Sequence, residues 1–365
     1  MKNIYIDGLF YGGSGIGRYY ESLVREISDS GIKVYTCVPR FKESAFCNDF
    51  TSCPNIEPIF VDYEKFSVAG FMKHGKILNQ IAKSVDLLFF PHINLPWRIP
   101  RRSVVAIHDI RPLTQYWDRS FLAKAAFKYF LRRSILQTSS IVAVSSYTRE
   151  QLLRLNYKIN EISVIHEFPD LIFQNAPASS ERILLFEYFL YIGNRKKHKN
   201  LETLLCAFHS IKHLTNNKLV IVGGKENSID YVDELISKLN LNEYIFQFPH
   251  ATDTEIINYL DFATLMILPS FYEGFGLPPL EAMARGCPVA VSDIPPLREV
   301  CADAAIYFDP HSADDLAACL MRTSNDTEFR NVLIQKGHDR LKHFNKSDII
   351  AQHIELFERI AKRTQ

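Results

Sequence analysis

Several features that would assign a chain to a special class are missing from this sequence. Its seven cysteines are odd in number, scattered and without a C-x-x-C pair, so the sequence predicts reduced thiols rather than disulfides or a zinc site. No apolar run approaches the roughly 18 residues that span a bilayer. The net charge of +1 gives no overall case for nucleic acid. The N-terminal MKNIYIDGLF lacks the apolar core of a signal peptide, so a cytoplasmic location is expected.

Short apolar runs alternate with helix-period segments along nearly all of the 365 residues. Continuous apolar strands separated by helices are typical of parallel sheets that are covered on both faces. The predicted strands are Asn3–Asp7, Val34–Val38, Ile56–Val61, Leu87–Phe90, Val104–His108, Ile141–Ser145, Ile162–His166, Phe189–Gly193, Lys218–Val222, Tyr244–Phe248, Leu265–Leu268, Pro288–Val291 and Ile306–Phe308.

The strand and helix pattern restarts after Pro169–Arg182, a stretch that is typical of a linker. The sequence therefore predicts two doubly wound, Rossmann-like α/β domains, covering residues 1–168 and 186–345. Ligands of such folds bind at the carboxyl ends of the strands, so a cleft between two facing domains is the expected site.

The stretch Phe271–Val300 combines a strand end, a Gly loop, a helix start and a second strand. Gly274 and Gly276 allow backbone N–H groups to approach a ligand, and the helix N-terminus favours an anion. Glu273 and Glu281 lie eight residues apart around this corner. They could form a general acid/base pair, or each could hold a hydroxyl of one ligand.

Three further segments follow predicted strands. The cluster Gly12–Gly17 fits neither the G-x-G-x-x-G fingerprint nor the P-loop, and indicates a phosphate or sugar loop, or only a tight turn. His108 could be a catalytic residue or a hydrogen-bonded structural one, and His92 and His166-Glu167 stand at comparable strand ends. The basic run Arg195–Asn200 could hold a diphosphate at a helix start, or be a solvated loop.

The segment Phe121–Arg133 mixes lysine and arginine with aromatic residues. It could touch anionic lipid, with Trp97 extending the patch, or be an ordinary amphipathic helix packed on a sheet.

These motifs together resemble those of the retaining glycosyltransferases of family 4, which have the two-domain GT-B fold. The likeness runs through GGSGIGRYYESLVREI, VVAIHDIRPL, YIGNRKKHKNLETLL and LPSFYEGFGLPPLEAMARGCPVAVSDIPPLREV. The order of an HD pair, a G-x(5)-KN motif and E-x(7)-E is its most specific part.

The resemblance implies a role for each matching residue. Glu281 would bind the ribose of a nucleotide sugar, and Glu273 would hold the transferred sugar. Lys199 and Arg195 would neutralise the leaving diphosphate, with His108 beside the sugar. The remaining donor contacts would come from backbone and small residues, namely Phe275, Gly276, Leu277, Gly13, Gly15, Gly193 and Ser145.

The sequence departs from the family pattern at two places. Asn194 stands where many relatives have arginine, and Arg195 follows it. The frequent P-N-G after the last strand of the first domain is replaced by His166-Glu167-Phe168-Pro169.

The resemblance implies metal-independent hexosyl transfer with retained configuration, and no cofactor. Residues 1–168 would face the acceptor, a glycan or lipid-linked saccharide, and a C-terminal helix at about 346–365 would pack back on them. GDP-mannose is the first donor expected, with UDP-linked glucose, galactose or N-acetylglucosamine as alternatives. A sugar-nucleotide epimerase and a non-catalytic binder are the rival functions, and Phe121–Arg133 leaves peripheral contact with an anionic membrane open.

Overall fold

The computed structural model describes residues 1–13, 15–100, 102–224 and 229–363, with only the backbone of Leu171. The chain divides into two compact units. Unit 1 consists of Met1–Thr114, Arg119–Glu167 and Lys346–Gln365, and unit 2 consists of Gln115–Asp118 and Phe168–Asn345. Each unit is built around its own parallel sheet.

The described part of unit 1 contains a seven-stranded sheet in the order β3-β2-β1-β4-β5-β6-β7, with parallel neighbours throughout. Its strands are β1 Asn3–Ile6, β2 Lys33–Pro39, β3 Ile56–Val61, β4 Leu87–Phe90, β5 Ser103–Ile107, β6 Ser140–Ala143 and β7 Ile162–Val164. Its helices are α1 Gly15–Asp29, α2 Glu43–Asp49, α3 Val68–Ile81, α4 Phe121–Gln137, α5 Ser146–Leu153 and, at the end of the chain, α14 Lys346–Lys362.

The described part of unit 2 contains a six-stranded sheet in the order β10-β9-β8-β11-β12-β13, again with parallel neighbours. Its strands are β8 Tyr188–Ile192, β9 Lys218–Val222, β10 Ile245–Phe248, β11 Leu265–Leu268, β12 Val289–Ser292 and β13 Ile306–Phe308. Its helices are α6 Leu171–Asn175, α7 Leu201–Ile211, α8 Tyr231–Lys238, α9 Asp253–Phe262, α10 Leu277–Ala284, α11 Pro295–Cys301, α12 Ala313–Asn325 and α13 Thr327–Leu341.

Both sheets reverse their winding direction at a central pair of strands, which fixes where side chains can converge. In unit 1 the pair is β1 and β4, and in unit 2 it is β8 and β11. The chain leaves neighbouring strands in opposite directions there, so a crevice opens at their carboxyl ends. The loops after these strands carry Asp7, His92, Gly193 and Glu273.

The C-terminal helix α14 belongs to unit 1. It buries Ile349, His353, Leu356 and Phe357, and the ring of Phe357 lies 5.0 Å from that of Phe89 in β4. Burial of such apolar side chains contributes about 1.5–3 kcal/mol each. The helix is therefore part of the first core, although nearly 180 residues of unit 2 precede it.

The sequence predicted the fold class correctly, and all thirteen predicted strands occur in the described residues. The prediction of a linker over Pro169–Arg182 was wrong in one respect, because α6 lies within it. Arg285 explains this order: its guanidinium donates to the carbonyls of Phe173 at 3.3 Å and Ala176 at 2.7 Å, and binds Asp261.

Within the described residues, no helix is both long enough and apolar enough to cross a membrane.

Candidate functional site

In unit 2, the loop between β11 and α10 contains Glu273 and leads to Glu281 in the helix. Helix α10 begins at Leu277 with two prolines in its first turn, where an N–H would have no helical partner. Gly276 precedes it with φ +119°, and a Cβ at this position would lie 2.7 Å from Leu297 Cδ2. A side chain is thus excluded by both backbone conformation and space.

Lys199 and Glu273 form the central ion pair of this corner. Lys199 Nζ donates to Glu273 Oε1 at 2.7 Å, and the two side chains are 14% and 13% exposed. They lie 74 residues apart in sequence. A carboxylate held by an ammonium group accepts hydrogen bonds, so the pairing suits a hydroxyl clamp better than a proton donor.

Asn200 fixes Lys199 against this corner. It adopts the left-handed conformation with φ 56°, and its side-chain amide donates to the carbonyls of Pro269 at 2.9 Å and Pro310 at 2.8 Å. The N–H of Phe271 donates to the carbonyl of His198 at 2.8 Å. The basic run is therefore attached to the loop after β11, which argues against a freely solvated loop.

Glu281 lies in α10 and is only 5% exposed. Phe275, in the loop between β11 and α10, is also buried and packs edge-on against Phe344, with ring centroids 5.7 Å apart. A buried carboxylate on the first helix after the Gly loop has few directions in which it can meet a ligand.

Arg195 lies closer to the end of β8 than Lys199 does, and it is already paired. Its Nε donates to the Gly223 carbonyl at 3.1 Å, and its Nη1 donates to Asp233 at 3.1 Å and lies 3.6 Å from Asp230. Burial alone would raise the pKa of Asp233, but a backbone hydrogen bond and the Arg195 charge lower it. The guanidinium thus holds the start of α8, whereas Lys199 is the cation beside the glutamate corner.

Gly193 and Gly223 let the ends of β8 and β9 approach closely. The N–H of Gly193 donates to the Val222 carbonyl at 3.0 Å. Gly223 has φ +106°, and a Cβ there would lie 2.3 Å from the Gly193 carbonyl oxygen. Gly193, which was predicted to contact the nucleotide sugar, therefore also has a packing role in this unit.

His108 follows β5 at the carboxyl edge of the unit 1 sheet. Its Nδ1 lies 2.7 Å from Glu167 Oε1, and its Nε2 lies 3.0 Å from the Pro91 carbonyl oxygen. Tyr19 from α1 packs edge-on against the imidazole at 4.9 Å. Burial alone would lower the pKa of His108, but the hydrogen bond and charge of Glu167 outweigh it and raise the pKa above its usual value.

The predicted Gly loop of unit 1 leads into α1. The N–H of Gly13 donates to the Phe10 carbonyl at 2.9 Å, and the N–H of Gly12 donates to Glu21 at 2.8 Å. Gly15 is the first residue of α1, and a Cβ there would meet nothing within 4 Å. Ser14 lies outside the described residues. The structure therefore leaves room beside Gly15, while Gly12 and Gly13 are engaged in the turn.

Ser145, which was predicted to contact the donor, is the N-cap of α5. Its hydroxyl accepts from the N–H of Thr148 at 3.0 Å, and its side chain is fully buried. This is the geometry of a helix cap, a role worth about 1 kcal/mol of stability.

Comparison with known proteins accounts for nearly the whole chain. The family model described as "Glycosyl transferases group 1" matches residues 175–340, and the model described as "Glycosyltransferase Family 4" matches residues 13–171. The chain belongs to the family 4 glycosyltransferases.

Relatives of this glycosyltransferase include two bacterial proteins. The chain is 28% identical over 281 residues to "O-antigen chain mannosyltransferase B" of Escherichia coli, covering 73% of each protein. It is 31% identical over 217 residues to "O-antigen chain mannosyltransferase RfbU" of Salmonella typhimurium, covering 58% of this chain and 57% of the relative. A sucrose-phosphate synthase from Thermosynechococcus elongatus has the same fold, with a TM-score of 0.79 at 18% identity over 99% of each chain. The GT-B fold expected from the motifs is confirmed.

Sequence reasoning missed a buried polar network in unit 1 of the glycosyltransferase. Asp7 is fully buried and binds His74 Nε2 at 2.7 Å and His92 Nε2 at 2.9 Å, while Tyr63 bonds the other nitrogen of His74. Burial alone would raise the pKa of Asp7, yet the two histidines hold it well below its usual range. His92 was noticed at its strand end, but His74 in α3, the other histidine that binds Asp7, gave no sequence signal.

Among the described residues, no group of three or more histidine, cysteine, aspartate or glutamate side chains is arranged to hold a metal ion.

Proposed function

We propose that this glycosyltransferase transfers a mannosyl residue from GDP-mannose to a glycan or lipid-linked saccharide, with retained configuration and without a metal ion. The observation that carries the proposal is the Lys199–Glu273 pair at the corner that leads into α10 and Glu281. The choice of mannose is supported by the E. coli and Salmonella relatives, which are named O-antigen chain mannosyltransferases.

Departure of a nucleoside diphosphate builds negative charge on the phosphate oxygens. In the proposed site, Lys199 and the N–H groups of Phe275, Gly276 and Leu277 stabilise this charge more in the transition state than in the ground state. The ammonium group of Lys199 has other donor hydrogens besides the one it gives to Glu273, so it can bind a phosphate oxygen while the pair stays intact.

The two glutamates then bind opposite ends of the donor. Glu281 accepts hydrogen bonds from the ribose hydroxyls, and Glu273 accepts one from the transferred sugar. Retention follows if the acceptor attacks from the side of the leaving phosphate, which takes the acceptor proton. In this scheme Arg195 supports the loop rather than the diphosphate, because Asp230 and Asp233 already pair with it.

Unit 1 supplies His108 for the transferred sugar and the acceptor side of the reaction in this proposal. Gly15 is the best placed of the predicted glycines, since the space around it is open. Gly13, Gly193 and Ser145 contribute mainly by shaping the loops in which they are held.

The donor assignment is tested by calorimetric titration of GDP-mannose, UDP-glucose, UDP-galactose and UDP-N-acetylglucosamine into the wild-type protein and Glu281→Ala. We expect the tightest binding for GDP-mannose, and at least a tenfold weaker Kd in Glu281→Ala, because two charge-assisted hydrogen bonds are lost. Glu328→Ala, at an exposed glutamate of α13, is the matched control and should bind as the wild type does.

Each other result points elsewhere. Tighter binding of a UDP-sugar would replace mannose by the alternative donor, and equal affinity of Glu281→Ala would remove the site assignment. Conversion of one nucleotide sugar into its isomer by enzyme alone would identify an epimerase. Binding without transfer to any lipid-linked acceptor would identify a non-catalytic binder.

Peripheral contact of α4 with an anionic membrane is a separate part of the proposal. Phe121 and Leu122 are 81% and 78% exposed, and Tyr129 is 50% exposed. The helix has no acidic residue and carries Lys124 and Lys128. Exposed apolar side chains among cations are typical of helices that lie on an anionic lipid surface.

Arg133 contributes to this patch indirectly. It is buried and donates to the carbonyls of Leu95, Pro96 and Trp97, so it holds the loop on which Trp97 stands 53% exposed. Flotation with vesicles containing anionic lipid tests the proposal. We expect the wild type to float at low salt and Phe121→Ser/Leu122→Ser to remain at the bottom, whereas a wild type that fails to float would exclude membrane contact.

A further inference from the structure

The imidazole of His108 is hydrogen-bonded at both of its nitrogens. Glu167 Oε1 lies 2.7 Å from Nδ1, and the carbonyl oxygen of Pro91 lies 3.0 Å from Nε2. Both partners are positioned by strand ends, since Pro91 follows β4 and Glu167 follows β7. The side chains of His108 and Glu167 are 15% and 9% exposed.

The chemistry of these partners fixes how many protons the pair holds. A carbonyl oxygen only accepts, so Nε2 must carry a hydrogen. A carboxylate also only accepts, so a second hydrogen must lie between Nδ1 and Glu167. Without that hydrogen, the lone pair of Nδ1 would face a buried negative charge at 2.7 Å, which is repulsive. The hydrogen-bonded pair therefore retains one extra proton.

The described charged groups around His108 act on its imidazole more weakly than Glu167 does. From α1, the hydroxyl of Tyr19 bonds His353 Nε2 of α14 at 2.9 Å, and His353 is fully buried with its pKa lowered to about 4, mainly by burial. From α5, Thr148 donates to the backbone carbonyl of His108 at 3.2 Å. Asp109 adds a weaker negative charge from the same loop.

We infer that Glu167 is a positioning residue that holds His108 as a fixed, protonated imidazolium in the glycosyltransferase site. His108 then cannot remove a proton from an acceptor hydroxyl, because both nitrogens already carry hydrogens that are donated to protein oxygens. Its contribution is a positive charge and a fixed ring edge. This inference rests on the proposed function, in which His108 lies beside the transferred sugar.

The variant Glu167→Gln separates charge from position. A glutamine amide can donate to Nδ1 of a neutral imidazole and thereby keep the ring in place, but it cannot stabilise the second proton. Glu57→Gln is the matched control, since Glu57 is an exposed carboxylate of β3 that pairs with Lys33. Both variants are made in the full-length protein.

The first measurement is the titration of His108 by imidazole NMR, with His108→Gln used to assign the signal among twelve histidines. We expect the proton affinity of His108 to fall at least tenfold in Glu167→Gln and to stay unchanged in Glu57→Gln. Equal titration midpoints in the wild type and Glu167→Gln would overturn the inference, whether or not transfer activity is found.

The second measurement is the pH profile of kcat for transfer. Because the proton is lost at lower pH in Glu167→Gln, the falling limb of its profile should move to lower pH. The variant should approach wild-type kcat at acid pH and fall increasingly below it as the pH rises. A uniform loss of kcat at every pH would contradict a role through protonation. If the wild type transfers no sugar at all, the proposed function fails, and the NMR titration alone decides whether Glu167 holds the proton.

Discussion

At the scale of single residues, the Lys199–Glu273 contact explains how a cation from the loop after β8 and a carboxylate from the loop after β11 can both be mostly buried. Each side chain is mostly buried, and neither charge would be tolerated there alone. In the proposed function, the donor phosphate is a second negative group beside the Lys199 ammonium, which already pairs with Glu273. In the proposed function the two charges of the pair balance each other, and the remaining N–H donors of Lys199 bind the donor phosphate.

The variant Lys199→Ala should lower kcat by roughly 10²–10³, the loss expected when one donor to the transition-state charge is removed. Donor binding should change less than kcat, because the lysine acts mainly on charge that develops during the reaction. Lys197→Ala, at an exposed lysine two residues away, is the control and should retain activity. Comparable kcat values for the two variants in a steady-state assay would remove Lys199 from the mechanism.

Part of the site could be predicted from sequence and part could not, and the difference is one of sequence distance. Glu273 and Glu281 fall within one strand-loop-helix segment, so their spacing carries the signal. Glu167 is hydrogen-bonded to His108, which lies 59 residues away in sequence. Asn200 is hydrogen-bonded to the Pro310 carbonyl, which lies 110 residues away. Such partners meet only through the parallel order of the strands.

At the scale of elements, the start of α10 depends on a glycine that no other residue can replace without strain. Gly276→Ala should destabilise unit 2 by about 1–3 kcal/mol and weaken donor binding, because the new Cβ meets Leu297 in a left-handed backbone region. Gly31→Ala is the comparison, since Gly31 also has positive φ, +82°, but open space around it. Urea unfolding should show the larger loss for Gly276→Ala, and equal losses would refute the steric argument.

The free energy of unfolding of unit 1 should depend on pH because of His353 in helix α14. Its pKa is lowered from 6.5 to about 4 by burial, so the folded state binds fewer protons than the unfolded state in this window. Stability is then fully present above pH 6.5 and is lost as pH falls toward 4, by up to about 3 kcal/mol. His108 acts in the opposite direction, because its raised pKa gives stability that is lost as pH rises above 6.5.

The measurement is the free energy of unfolding at pH 7 and pH 5 for the wild type and His353→Gln. Glutamine can still accept the Tyr19 hydroxyl but does not titrate, so the variant should lose less stability between these values. A pH slope equal to that of the wild type would show that His353 does not titrate as described.

The elements themselves were predictable where periodicity was strong. Thirteen apolar runs gave thirteen strands in the described chain, because buried parallel strands leave little room for polar residues. Helix α6 was missed because its five residues are ordered by Arg285 and Asp261, which are distant in sequence. Short helices that depend on tertiary contacts have no periodic signal of their own.

At the scale of the whole molecule, the two doubly wound units are the fold of the family, but they do not determine which sugar is transferred. The same fold occurs in a sucrose-phosphate synthase at 18% identity, so architecture alone does not choose a donor. The proposed chemistry depends on groups that all nucleotide sugars share, namely a ribose, a diphosphate and a hexose hydroxyl. The identity of the sugar donor must therefore be determined by assaying the transfer reaction.

The most direct test is mass spectrometry of a lipid-linked saccharide acceptor fraction after incubation with the wild-type protein, GDP-mannose and a chelator. The account predicts that the acceptor gains one hexose and that GDP is released, with little product from Lys199→Ala. Absence of transfer by the correctly folded wild type, from GDP-mannose and from each UDP-sugar, would contradict it.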